Sequence, residues 1–283
     1  MKNLFRSLFI SLFPLYALYL TIDGILHVSE HGFSLRYGGR LITSMTVVVL
    51  FAGLFIVKRA RTRKNLPYWT LSITTGFLIS LLGGGVIENN DLIGSSPGFI
   101  LVLGWWIYLT WYSKFKKRNK DILKVGRALP EFELEDANQE KVHSSSFVGK
   151  ATVLLFFRGN WCPLCMAQIK EIAAKYKEIE EKNAQVVLIS PQPHSFSRSL
   201  AKKYGLNFQF LTDVKNQVAK QLHIFAENGI PAGFQILGYD SDTVLPTVVI
   251  TDASGEIVFA DLTDNYRLRP EPETFLKVLD QLN

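Results

Sequence analysis

Both cysteines of this 283-residue chain fall in one stretch, Arg158-Gly159-Asn160-Trp161-Cys162-Pro163-Leu164-Cys165. Two thiols three positions apart can close an intramolecular disulfide once one of them is activated as a thiolate. An apolar run of strand length, 151–157, leads into the pair. A helical pattern, 163–181, leads out of it, with Ile169, Ile172, Ala173, Tyr176 and Ile179 spaced for one face. The pair therefore opens a helix, where unpaired N–H groups and the helix dipole favour negative charge. Cys162 is expected at the cap, open to solvent, as an attacking thiolate more acidic than the ~8.5 of a free thiol. Cys165, one turn further in, is expected to be less acidic and to resolve the mixed disulfide. Pro163 suits the first helical position, where its missing N–H has no helical partner to lose. Trp161 is expected to shield the site and contact substrate, and Arg158 to offer a donor there. A zinc site would need two more ligands, and His143, His194 and His223 are scattered; haem attachment needs His at position 166, which is Met. No metal or cofactor is expected beyond a redox-active Cys162–Cys165 disulfide.

The elements that must position this pair follow from the pattern of residues 121–283. Strands are predicted at 151–157, 185–190, 208–211, 246–251 and 256–262, and helices at 163–181, 195–204, 214–225 and 273–282. Asp252-Ala253-Ser254-Gly255 joins the last two strands as a tight hairpin. Strands that alternate with helices and finish on a hairpin and a helix imply an α/β sandwich with a mixed central sheet. Pro246 begins one strand. In this topology a cis Leu245–Pro246 bond would lie beside the cysteines and present the Leu245 backbone to a substrate chain. Leu245 and Pro246 are accordingly expected in the substrate site.

Residues 125–283 resemble the thioredoxin fold, and within it the redoxin branch of the alkyl hydroperoxide reductase / thiol-specific antioxidant (peroxiredoxin-like) family. The resemblance rests on Leu129-Pro130-Glu131-Phe132-Glu133-Leu134, Phe147-Val148-Gly149-Lys150, the Trp161–Cys165 motif, the segment 190–205, Phe208-Gln209-Phe210-Leu211-Thr212-Asp213 and Tyr266-Arg267-Leu268-Arg269-Pro270-Glu271-Pro272. Such proteins place a Thr or Ser three residues before the peroxidatic Cys, in a Pro-x-x-x-Thr-x-x-Cys motif. Counted from Cys162, those positions hold Gly159 and Leu155, and no arginine stands near Val244-Leu245-Pro246-Thr247 to match the family's distant active-site Arg. The departures point to exchange chemistry of the thioredoxin type.

The other half has a different character. The chain has 31 basic and 25 acidic residues, but residues 1–124 hold 15 basic against 5 acidic ones, and the remainder 16 against 20. The excess positive charge sits between apolar runs at 7–22, 41–57, 65–87 and 92–113, which is membrane patterning and not a nucleic-acid surface. The first run is longer than the 7–15 apolar residues of a signal peptide and lacks a small-x-small cleavage site before Asp23. Four transmembrane helices are expected in residues 1–120, an all-α region ahead of a thioredoxin-like domain at 121–283. Twelve Lys and Arg on one side against two on the other predict that both ends face inward. The redox domain would then lie in the cytoplasm, on an inner or plasma membrane. The region has no cysteine, so it cannot relay electrons by thiol exchange.

These features predict a membrane-anchored thiol–disulfide oxidoreductase. Its partners would be a disulfide-containing protein or a hydroperoxide, an external dithiol donor and the lipid bilayer, with no nucleic acid. Two alternatives stand beside it: a peroxiredoxin-like thiol peroxidase with Cys162 as peroxidatic cysteine, and a non-enzymatic redox-sensing or binding module.

Overall fold

A computed structural model describes residues 2–57, 59–83, 92–115 and 118–282. Lys58, Lys116 and Lys117, three of the twelve basic residues counted on the inner side, lie outside the described residues. The chain divides into two units: Leu8–Lys58 with Thr62–Lys114, and Phe115–Asn283 with Met1–Ser7 and Arg59–Arg61.

The N-terminal apolar runs form helices α1 (Lys2–His31), α2 (Leu35–Ile56), α3 (Pro67–Gly83) and α4 (Leu92–Ile107), the last running into a π-helical turn at Tyr108–Tyr112. Two stretches, Asn3–His31 and Leu35–Ile56, are long and apolar enough to cross a membrane. The expected four spans are corrected to two on this criterion among the described residues. At 1.5 Å per residue the 17 residues of α3 reach only about 26 Å against a hydrocarbon core of about 30 Å. A second correction concerns the first loop. Arg40, one of the two basic residues counted on the outer side, lies inside α2 and pairs at 2.8 Å with Asp23 inside α1. Helices α2 and α3 pack backbone to backbone: a Cβ on Gly39 would stand 2.5 Å from the Gly76 carbonyl oxygen. Small residues at both positions permit this approach.

The second unit is built on β1 (Glu133–Glu135), β2 (Lys141–His143), β3 (Ala151–Phe156), helices α5 (Pro163–Ala174) and α6 (Tyr176–Glu181), then β4 (Ala184–Ser190), α7 (His194–Tyr204), β5 (Gln209–Thr212) and α8 (Gln217–Gln221). It continues through β6 (Phe225–Ala226), β7 (Thr243–Val244), β8 (Thr247–Thr251), β9 (Ile257–Asp261) and α9 (Pro272–Asp280). Seven strands form one sheet in the order β2-β1-β5-β4-β3-β8-β9. β3, β4 and β5 run parallel, while β8 pairs antiparallel with β3 and β9, giving the mixed thioredoxin-like sheet. β3 is central, and Val153, Leu154, Leu155 and Phe156 are each fully buried. Truncating Leu154 to Ala would cost about 2–5 kcal/mol.

Two helices differ from their sequence pattern. The 163–181 pattern breaks at Lys175 into α5 and α6. The predicted helix over 214–225 shrinks to α8 behind a turn in which Lys215 and Asn216 take positive φ. Its cause is Asp213, whose buried carboxylate accepts hydrogen bonds from the Val218 and Ala219 backbone N–H groups at 2.9 and 2.8 Å and so fixes where the helix starts. The short β1–β2 and β6–β7 pairs have too few residues to show a period.

Candidate active site

β3 delivers the chain to the cysteines. Beyond Phe156, the Phe157 N–H still bonds to the Ile189 carbonyl at 2.8 Å, and the backbone then turns at Gly159, with φ +141°. A Cβ at position 159 would stand 2.7 Å from the Trp161 ring, so this position is closed to the Thr or Ser of the family motif. Cys162 caps α5, Pro163 is its first residue, and the Met166 N–H bonds to the Cys162 carbonyl at 3.0 Å. Cys165 lies one turn in, and both cysteines are free thiols.

The expected exposure of Cys162 is corrected. It is 1% exposed and Cys165 is 0% exposed. Trp161 lies edge-on to Phe234 with ring centroids 5.6 Å apart, and its Nε1–H is buried without a partner. Phe234 belongs to the segment between β6 and β7, which is also held by a hydrogen bond from the Tyr239 hydroxyl to Asn160 Oδ1. Gln192 steadies the same turn through its Oε1, which accepts from the Asn160 N–H at 2.8 Å. Arg158 is only 8% exposed; its guanidinium lies 4.7 Å from the centre of the Trp161 ring and donates to the Gly229 carbonyl. It is thus a buried strut between the cysteine turn and the 227–242 segment.

An arginine does reach the sulfurs, from a place the sequence reading leaves without a role. Arg269 Nη2 donates to Cys165 Sγ at 3.5 Å, and its Nη1 donates to Gln168 Oε1 at 2.8 Å. Arg269 sits in the closing 266–272 segment just before α9, so only the fold brings it to α5. The signal in the sequence was a basic residue beside Pro270; nothing in the spacing distinguished it from Arg267.

The electrostatics of the pair follow. For Cys165, burial pushes the thiol up, but the hydrogen bond from Cys162, the charge of Arg269 and a hydrogen bond from the Arg158 backbone outweigh it and hold it at about 5. For Cys162, burial pushes the thiol up, and the hydrogen bond to Cys165 and the charge on it push further, against Arg269 and Arg158. The expected order of acidity is thus reversed: Cys162 is pushed up, and Cys165, beside Arg269, is pushed down.

Pro246 needs correction too. No peptide bond among the described residues is cis, so Leu245–Pro246 is trans. Arg118 fixes the segment: both of its terminal nitrogens donate to the Pro246 carbonyl at 3.1 Å, and Nη1 also reaches Thr247 Oγ1 at 2.9 Å. The Leu245 N–H is spent on the Ile224 carbonyl at 2.6 Å, and its carbonyl accepts from Thr247 Oγ1 at 2.9 Å. The expected free backbone edge for a substrate chain is therefore occupied by the protein itself.

A thioredoxin-type sheet with two buried thiols at the start of one helix, and an arginine on the second of them, belongs to a thiol oxidoreductase of the thioredoxin/peroxiredoxin superfamily. Residues 125–260 match the AhpC/TSA family. The chain is 30% identical over 148 residues to peroxiredoxin Bcp of Escherichia coli, covering 51% of this chain and 90% of that protein. It is 28% identical over 138 residues to the thiol-disulfide oxidoreductase ResA of Bacillus subtilis, covering 48% and 72%. With the chloroplastic peroxiredoxin Q of Populus jackii it shares 34% over 118 residues, 42% of this chain and half of that one. The crystal structure of peroxidoxin BcpB from Mycobacterium tuberculosis superposes with a TM-score of 0.47 at 20% identity, covering 56% and 98%. Through its C-terminal part, this chain belongs to the AhpC/TSA family.

Proposed function

We propose that the protein reduces a small hydroperoxide, with Cys165 as the attacking thiolate and Cys162 as the resolving thiol. The observation that carries this reading is the Arg269 guanidinium on Cys165 Sγ, with both sulfurs buried. Counted from Cys165, the motif position for the hydroxyl donor is occupied by Cys162 itself, whose thiol bonds to Cys165. The Cys165 thiolate attacks one peroxide oxygen: the S–O bond forms, the O–O bond breaks, and the other oxygen leaves as an alkoxide that takes a proton from water. Arg269 faces the charge that moves onto oxygen, the kind of fixed donor that lowers such a barrier. The Cys162 thiol then attacks the Cys165 sulfenic acid, the S–S bond forms and water leaves. An external dithiol donor restores both thiols by exchange and is itself oxidised to a disulfide. The half-buried Trp161 and Phe234, packed against each other beside the two buried thiols, favour a small oxidant over a folded protein.

The deciding experiment is a single turnover of the full chain in detergent with one equivalent of peroxide. C162S should accumulate a trappable sulfenic acid and C165S should not. Sulfenic acid on Cys162 in C165S, with none in C162S, would return the attacking role to Cys162.

Disulfide exchange is the second reading, favoured by Cys162 at the cap of α5 with Pro163 behind it, the arrangement in which a cap thiol attacks a protein disulfide. Reduction of insulin by the full chain, lost in C162S, would support it. In both readings residues 121–283 form the catalytic domain, and the N-terminal helices hold it at a membrane. The two long apolar helices support that anchoring, and the loop charges support a cytoplasmic redox domain.

A further inference from the structure

We propose that Arg61, from the turn between α2 and α3, is a positioning residue of the redox site: it fixes the main chain that carries Arg269 onto Cys165. The proposal rests on the reading of Arg269 as the partner of the Cys165 thiolate. By sequence Arg61 is one more basic residue on the inner side, but Arg59–Arg61 pack into the same compact unit as Phe115–Asn283, where Ala60 is 1% exposed. The Arg61 guanidinium serves two elements at once. On one side its Nε donates to the Arg269 carbonyl at 3.2 Å and its Nη2 to the Pro270 carbonyl at 3.4 Å, while Nη1 stands 3.7 Å from the Glu271 carboxylate. On the other side Nη2 donates to the Glu171 carboxylate on α5, the helix that begins at the cysteines.

Where Arg269 stands depends on how those two elements meet. Residues 269–271 lie outside any helix or strand, and Pro270 has no N–H with which to hold the main chain there. Cys165, Gln168 and Glu171 follow one another at intervals of three, as neighbours along one side of α5. Arg269 Nη1 on Gln168 Oε1, at 2.8 Å, ties the head of the arginine to that helix. Arg61 on Glu171 ties its main chain to the same helix. With head and main chain both held, the guanidinium is fixed against Cys165 Sγ. The fork of Arg61 suits this task, because a planar guanidinium points donors at two carbonyls and a carboxylate together, which one ammonium centre does less well. The Arg61 and Glu171 side chains are 27% and 32% exposed, and an ion pair this open to water contributes little to stability. Losing it should therefore move Arg269 without unfolding the chain.

The test follows iodoacetamide labelling of Cys165 against pH in the full chain in detergent, in the C162S background, for R61M, R61K, R269M and R61M/R269M, with melting temperatures alongside. Cys162 is thereby taken out of the titration. The other charges that face the two groups, Arg158 beside Cys165 and Asp261 and Arg118 beside Arg269, are the same in every variant. R61M should melt close to its parent and raise the labelling midpoint by about 1 pH unit, part of the 1–3 expected of R269M. R61K, which keeps the charge and loses the fork, should move it nearly as far, and decides the matter if R61M proves unstable. R61M/R269M should stand where R269M stands, since Arg61 acts through Arg269. A parental midpoint in R61M beside a shifted one in R269M overturns the positioning role and leaves Arg269 in its own. A parental midpoint in R61K, or additive shifts in R61M/R269M, would make Arg61 a charge acting at a distance and overturns it equally. A midpoint unmoved by R269M overturns the proposal together with the role of Arg269 on which it rests.

Discussion

Arg269 Nη2 lies 3.5 Å from Cys165 Sγ, across 104 residues of sequence, and its charge adds to the hydrogen bond from Cys162 in holding the Cys165 thiol low. An opposite charge at this range moves a titrating group by about 1–3 pH units. R269M should therefore raise the apparent pKa of Cys165 by that amount and slow its alkylation near pH 6 by roughly 10-fold or more. The pH profile of iodoacetamide labelling in the C162S background measures it. An unchanged profile would mean that Arg269 only packs against the sulfur.

The pH dependence of the wild-type protein has a definite sign. With Cys165 held at about 5, the thiolate is already formed at neutral pH. Reactivity should stay level from pH 8 to about pH 6 and fall only as pH drops through about 5, instead of through the ~8.5 of a free thiol. Stopped-flow peroxide consumption across this range, with Cys162 present, reads the pair as a unit. A midpoint above pH 8 would remove the assignment of charge to Cys165.

Gly159 has φ +141° and no room for a Cβ beneath the Trp161 ring. G159T, which restores the family's hydroxyl at that position, should destabilise the protein by about 1–3 kcal/mol and displace Trp161. The readouts are the melting temperature and the tryptophan emission maximum. A stable G159T with increased peroxide turnover would show that the family's spacing counts from Cys162 after all.

Phe234 packs edge-on against Trp161 in front of the cysteine turn. F234A removes an aromatic pair worth about 0.5–1.5 kcal/mol beyond its buried area and opens that side. Alkylation by a bulky maleimide should accelerate several-fold, while hydrogen peroxide reduction changes little. Equal acceleration by both reagents would argue against a size filter.

Arg118 is itself buried, and burial lowers its pKa to about 10, with Asp261 and Asp264 opposing. R118M leaves the Pro246 carbonyl without these donors and should cost on the order of 1–3 kcal/mol. Thermal unfolding of the variant checks it; a melting temperature equal to the parent's would show that the carbonyl finds other partners.

Elements whose period is local are legible in the residue order alone. The apolar run before the cysteines, the helix after them and the 252–255 hairpin depend on neighbours a few residues away, and each is legible in one pass. Cys162 at the cap of α5 with Pro163 next to it is local for the same reason. The tertiary structure decided everything that depends on distant partners. Phe234 comes from the 227–242 segment to pack on Trp161 beside the cysteines, and the trans Pro246 is held by Arg118 from 128 residues away. The Asp23–Arg40 pair turns two apparent loop charges into neutralised helix residues. The acidity of the two thiols shows the physical reason most directly. Both share one helix end and nearly the same burial, so the local rule favours the cap residue, Cys162. The hydrogen bond from Cys162 and a charge a few ångströms away in a low-dielectric interior lower Cys165 instead, and that charge comes from Arg269, whose position only the folded sheet fixes.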